Sequence, residues 1–77
     1  MDDEIIARTL RALAEERGPA KTFCPSEAAR QLSDDWRAVM PDVRRVARDI
    51  GLAATQGGTP VDPVTAHGPI RLSIERS

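Results

Sequence analysis

Aromatic side chains are nearly absent from this chain. Its 77 residues include no Tyr, one Phe (Phe23) and one Trp (Trp36), so aromatics make up 3% of the sequence. The core must therefore be built from Leu, Ile, Val and Ala. Cysteine occurs once, at Cys24, which excludes an internal disulfide and points to a reducing cytoplasm. Cys24 and the single histidine, His67, are too few for a zinc site, which normally has four ligands, so no metal is expected. No apolar run approaches the roughly 20 residues of a membrane span. The sequence opens on Asp2, Asp3 and Glu4, which is unlike a signal peptide. A nucleophile–base–orienter set is also missing. The chain thus reads as a binding protein rather than an enzyme, with no cofactor and no membrane partner.

An excess of charge of one sign is lacking too. Eleven Lys and Arg stand against twelve Asp and Glu, a net charge of −1. The distribution says more than the sum. Residues 1–35 hold eight acids and five bases, and residues 36–77 hold four acids and six bases, all six of them arginine. A polarity of this kind can orient a protein on an anionic partner. At this length one domain is expected, residues 1–77. It buries only about 60% of its unfolded surface and has modest stability.

What is present reads as a short series of elements. Asp2–Arg17 has the spacing of a helix, with Ile6, Leu10 and Leu13 on one face and Ile5 and Ala14 at its margins. Glu4–Arg8 and Arg11–Glu15 are i, i+4 pairs on its outer face. Gly18-Pro19 stops it, and Lys21-Thr22-Phe23 fits a short extended segment. Pro25 suits the first position of a second helix, Pro25–Leu32, with Cys24 at its N-cap. Asp34 or Asp35 is placed to cap the helical stretch that begins at Trp36. Trp36–Met40 either ends before Pro41, with a new helix starting there, or continues through it as one kinked helix. The first reading is preferred. From Pro41 to Ile50, the positions Val43, Val46, Ala47 and Ile50 define a buried stripe, and Arg44, Arg45 and Arg48 project from the opposite side.

Gly51 ends that helix. Leu52–Gln56 reads as a strand, Gly57-Gly58 as a tight turn and Thr59–Pro69 as a loop with three prolines. Ile70–Glu75 alternates, with Ile70, Leu72 and Ile74 inward and Arg71, Ser73 and Glu75 outward. Helix, short strand, helix, helix, strand, wing, strand is the order of a winged helix. The expected fold is α+β, a three-helix core with a two- to three-stranded antiparallel sheet and a wing at about 57–69.

Three blocks of residues support this order. Phe23-Cys24-Pro25-Ser26-Glu27-Ala28-Ala29-Arg30, then Trp36-Arg37 with Met40-Pro41 and Val43-Arg44, then Gly68-Pro69-Ile70-Arg71-Leu72, resemble a family of small bacterial proteins known as domain of unknown function 3253. The resemblance spans roughly residues 5 to 75. It implies a winged-helix fold and no established activity. DNA binding attaches to it only by analogy of fold.

The candidate site comes from the arginines. At roughly 100° per residue, Arg44 and Arg48 lie close together with Arg45 farther round, and Arg37 joins them if the helix is continuous. Such a strip suits phosphates or guanine edges in the major groove of double-stranded DNA. The expectation is a DNA-binding or transcription-related accessory module, with the helix 41–50 as its recognition helix. The bland alternative pairs the same arginines with Asp42, Asp49 or Glu75. The wing weighs against DNA, because no Lys or Arg occurs between Arg48 and Arg71. A protein-interaction or dimerisation module, using Trp36, the wing or the helix surface, is the second reading. Trp36 is otherwise a packing residue where the second and third helices meet. Arg30 reads as a tether to Asp34, Arg71 as part of an ion pair, and His67 as a turn residue. Cys24, at a helix start, is a candidate redox thiol or a small packing residue.

Overall fold

A computed structural model describes residues 2–19 and 21–74. Helix α1 spans Asp3–Arg17. Asp2 is its cap rather than its first residue, with the carboxylate accepting from the Glu4 N–H at 2.9 Å. Asp3 and Glu4 in the first turn and Arg17 in the last complement the helix dipole. Gly18, at φ 76°, closes the helix by donating to the Ala14 carbonyl. Ile6, Ala7, Leu10, Leu13 and Ala14 are buried, whereas Ile5 is 48% exposed. Of the two expected outer pairs, Glu4–Arg8 closes at 3.5 Å, and Arg11 and Glu15 do not pair with each other.

Helix α2, Pro25–Leu32, starts at Pro25 as its spacing predicts. The Cys24 N–H donates to the Glu27 carboxylate at 3.0 Å, so the acid three positions on satisfies an otherwise orphan donor. Ala28 and Ala29 are fully buried. Their small side chains let α2 approach α3 closely.

Helix α3 runs unbroken from Trp36 to Asp49, through Pro41. The preferred division at Pro41 is therefore corrected. Pro41 sits on the exposed side in the second turn, where its missing N–H removes a single bond, the one to the Arg37 carbonyl. Trp36, Val39 and Met40 before it pack on the same core as Val43, Val46, Ala47 and Ile50 after it. That shared apolar stripe keeps both halves coaxial. The N-cap is one of the two aspartates expected there. Asp35 holds the N-cap position without a side-chain bond, and its own N–H donates to the Ser33 hydroxyl at 3.1 Å.

Strands β1 (Ala53–Gln56), β2 (Thr59–Pro60) and β3 (Arg71–Ser73) form an antiparallel sheet of order β2-β1-β3. Gly57 and Gly58 both have positive φ, 58° and 83°, as a two-residue hairpin turn of the primed type requires. Gln56 thus faces Thr59, and Thr55 faces Pro60. The expected loop from Thr59 begins instead as β2, an edge strand that tolerates Pro60 because its outer side needs no N–H. Beyond β3, Phe23 forms an antiparallel bridge with Leu72, through bonds of 2.8 and 2.7 Å. This is the short strand between α1 and α2.

Ile70 and Leu72 point into the core and Ile74 is half-buried; Glu75 lies outside the described residues. Three helices and a small antiparallel sheet close around one apolar cluster whose largest fully buried side chain is Phe23. The result is an α+β fold with the arrangement of a winged helix.

Candidate functional site

The four arginines singled out on α3 have four different environments. Arg44 turns toward the wing. Its Nη1 donates to the Ala66 carbonyl at 2.8 Å and its Nη2 to the Gly68 carbonyl at 2.7 Å. Gln56, at the end of β1, takes the two remaining carbonyls of this stretch. Its Nε2 donates to those of His67 and Pro69. Four successive carbonyls, 66 to 69, are thus held alternately by a helix side chain and a strand side chain. The wing has few ladder bonds of its own, so this clasp fixes its position. Asp62 supports its start, accepting from the Val64 N–H at 2.8 Å. Pro63 is buried there.

Arg45 faces the other way, toward the start of α1. It binds both Asp3 carboxylate oxygens, at 2.9 and 2.8 Å, and also approaches Asp42 at 3.3 Å and Asp49 at 3.7 Å. Arg48 lies 3.8 Å from Asp62. The anticipated pairing with Asp42 and Asp49 is therefore real for Arg45, while pairing with Glu75 falls outside the described residues. Two of the four arginines meant for an outside anion, Arg44 and Arg45, are hydrogen-bonded by their own fold, and Arg48 has only a longer surface ion pair.

Arg37 differs. Its guanidinium carbon lies 4.3 Å from the centre of the Trp36 ring, and that of Arg30 lies 4.6 Å from the same centre. Both arginines are exposed and Trp36 is half-buried against the core. Neither arginine has a carboxylate within 4.0 Å among the described residues. The expected tether from Arg30 to Asp34 is absent there, because the indole face competes for the guanidinium. The three residues meet at the corner between α2 and α3. Arg71, expected in an ion pair, donates to the Thr22 hydroxyl and carbonyl, both at 3.0 Å, and forms no ion pair among the described residues.

Cys24 is half-buried, and its sulfur accepts from the Ser26 hydroxyl at 3.1 Å. Among the described residues no group of three His, Cys, Asp or Glu is placed to hold a metal ion, and no helix is long and apolar enough to cross a membrane. A shallow groove of about 270 Å³ opens between α1 and the end of α3, lined by Ala14, Ile50, Leu52 and Ile74, with Arg11 and Glu15 at its mouth.

A family model matches residues 3–75. The chain belongs to the family described as protein of unknown function (DUF3253). No curated protein matches it. In this DUF3253 protein, sequence reasoning found the arginines but missed Asp3, Gln56 and Asp62 as their partners, and Arg30 as a partner of Trp36. The one signal for the last was position, since Arg30 lies in the last turn of α2 and Arg37 in the first turn of α3.

The ion pairs predict an acid dependence of this protein's stability with a defined direction. The hydrogen bond from Arg45 holds the Asp3 carboxyl below its ordinary value of 3.8. The bond from Arg17 holds Glu27 below its ordinary 4.5. Each acid therefore binds protons more readily in the unfolded chain than in the folded one. Their stabilisation is complete above those ordinary values and is lost as pH falls through the lower folded ones. Thermal melts should be flat from neutral pH to about pH 5 and decline below it. The Asp3→Asn, Glu27→Gln double variant should decline less steeply; an unchanged acid slope would assign the sensitivity elsewhere.

Proposed function

We propose that the protein is a non-catalytic interaction module that docks through the α2–α3 corner, with Trp36, Arg30 and Arg37 at the centre of its contact surface. What carries this reading is the division among the arginines. Arg44 and Arg45 are hydrogen-bonded within the fold, and the exposed Arg48 lies 3.8 Å from Asp62. Arg30 and Arg37 stay exposed beside a half-buried indole. Tryptophan and arginine are the residue types that most often dominate binding energy at protein interfaces. A reducing cytoplasm suits the unpaired Cys24.

The test places a photo-crosslinking amino acid at Ala38, on the exposed side of α3, and at Val64 on the wing, in the living cell. A discrete protein adduct is expected from position 38 and not from position 64. It should disappear when Trp36→Ala is added to a chain that still shows native circular dichroism. An adduct indifferent to Trp36 would reject this surface.

A second reading keeps the DNA-binding, transcription-related role on a reduced contact set. It is favoured by the position of Arg37, in the first turn of the second helix of a helix-turn-helix order, the end that meets base edges in such proteins. Binding to random duplex DNA should then fall steeply with salt and be abolished by Arg37→Ala. Salt-independent or absent binding would dismiss it.

A further inference from the structure

We infer that the partner of the α2–α3 corner is an acidic peptide segment, whose carboxylates are received by Arg30 and Arg37 on either side of the Trp36 contact; this rests on the protein-interaction reading above. A guanidinium lying over an aromatic ring uses its flat face there and keeps its N–H donors at the edge. The guanidinium carbons of Arg30 and Arg37 lie 4.6 and 4.3 Å from the ring centre. Each is anchored on a helix, one in the last turn of α2 and the other at the second residue of α3. Both guanidiniums are thus held near the indole before a ligand arrives, which reduces the ordering lost on binding.

The choice of a carboxylate comes from the rest of this fold. Where Arg17 and Arg45 meet an anion, it is a carboxylate, received through both terminal nitrogens. Arg30 and Arg37 have the same chemistry with no acid within reach among the described residues. A nucleic-acid duplex is disfavoured by the neighbours. Asp34 and Asp35 are exposed on the turn between the two arginines. A rigid duplex would bring its phosphates against them, whereas a flexible peptide can turn its carboxylates toward the arginines and away from the aspartates.

The protein reports on this site by itself. Trp36 is its only tryptophan and there is no tyrosine, so intrinsic emission comes from the corner. The full chain is titrated with acetylated hexaglutamate, hexalysine or a random duplex, while Trp36 emission and the arginine Nε–H NMR signals are followed. Hexaglutamate is expected to shift the emission and the Arg30 and Arg37 signals while leaving that of Arg44 in place. Arg30→Ala and Arg37→Ala should each weaken the response about tenfold, the loss typical of a charge-assisted hydrogen bond. Arg30→Lys and Arg37→Lys should recover less than half of that loss, since a lysine cannot stack and fork together. No response to hexaglutamate, or a tighter response to duplex DNA lost in the same variants, would overturn the inference. If the position-38 adduct persists and still needs Trp36 while hexaglutamate fails, the interaction surface stands and its acidic partner does not.

Discussion

Replacing Phe23 with Ala should remove about 3–5 kcal/mol of the fold's stability. Phe23 is fully buried and is the largest such side chain in the fold. Truncating a buried phenylalanine costs about 3–5 kcal/mol, from lost transfer energy and from the cavity left behind. A chain of this size has only about 4–12 kcal/mol to lose. Each kcal/mol moves the melting temperature by roughly 4–8 °C in proteins this small. The fall should therefore exceed about 12 °C. The bridge to Leu72 uses only the Phe23 backbone, so the variant tests the side chain alone. Phe23→Leu keeps much of the volume and should cost about 1.5 kcal/mol or less. Urea unfolding, followed through Trp36 emission, measures both. A loss below about 1 kcal/mol for Phe23→Ala would show that the core does not depend on its single phenylalanine.

The second large effect concerns Arg44. Arg44→Ala should destabilise the fold by about 1.5–3 kcal/mol, because it removes a charged donor from two wing carbonyls at once. Arg44→Lys should recover little, since one ammonium cannot span carbonyls two residues apart as a fork does. Gln56→Ala acts on the alternate carbonyls and should cost about 0.5–1.5 kcal/mol. The two changes loosen the same segment, so their sum should exceed the double-variant loss by about 0.5 kcal/mol or more. Hydrogen exchange should quicken at Val64 and Ala66, the wing amides bonded to Asp62. Denaturation gives the energies and exchange locates them. A stable Arg44→Ala variant with unchanged wing exchange would free this residue for an external role.

Parts of this fold were legible because they repeat. Val43, Val46, Ala47 and Ile50 recur at helical spacing, and Ile70, Leu72 and Ile74 alternate, so burial leaves a periodic trace. Gly57-Gly58 was readable because two successive positive φ angles nearly demand glycine. The continuity of α3 was not legible. A proline marks a local cost, and the compensating burial of Trp36, Val39 and Met40 is tertiary. The candidate site was harder still. Arg44 finds carbonyls 22 and 24 positions away, and a carbonyl acceptor has the same backbone chemistry at every residue. Arg45 finds Asp3 across 42 positions. Residue type identified the arginines as interesting; only the packing of α1 and the wing against α3 divides those occupied from those left open.

The sheet also limits how any neighbour can attach. At one border, β2 is two residues long and includes a proline. At the other, the Phe23 backbone already consumes both hydrogen bonds of Leu72. Neither margin is a good template for strand addition by a foreign chain, or for stacking of copies into fibrils. The surfaces that remain open to contact are those of the helices and the wing, not the borders of the sheet.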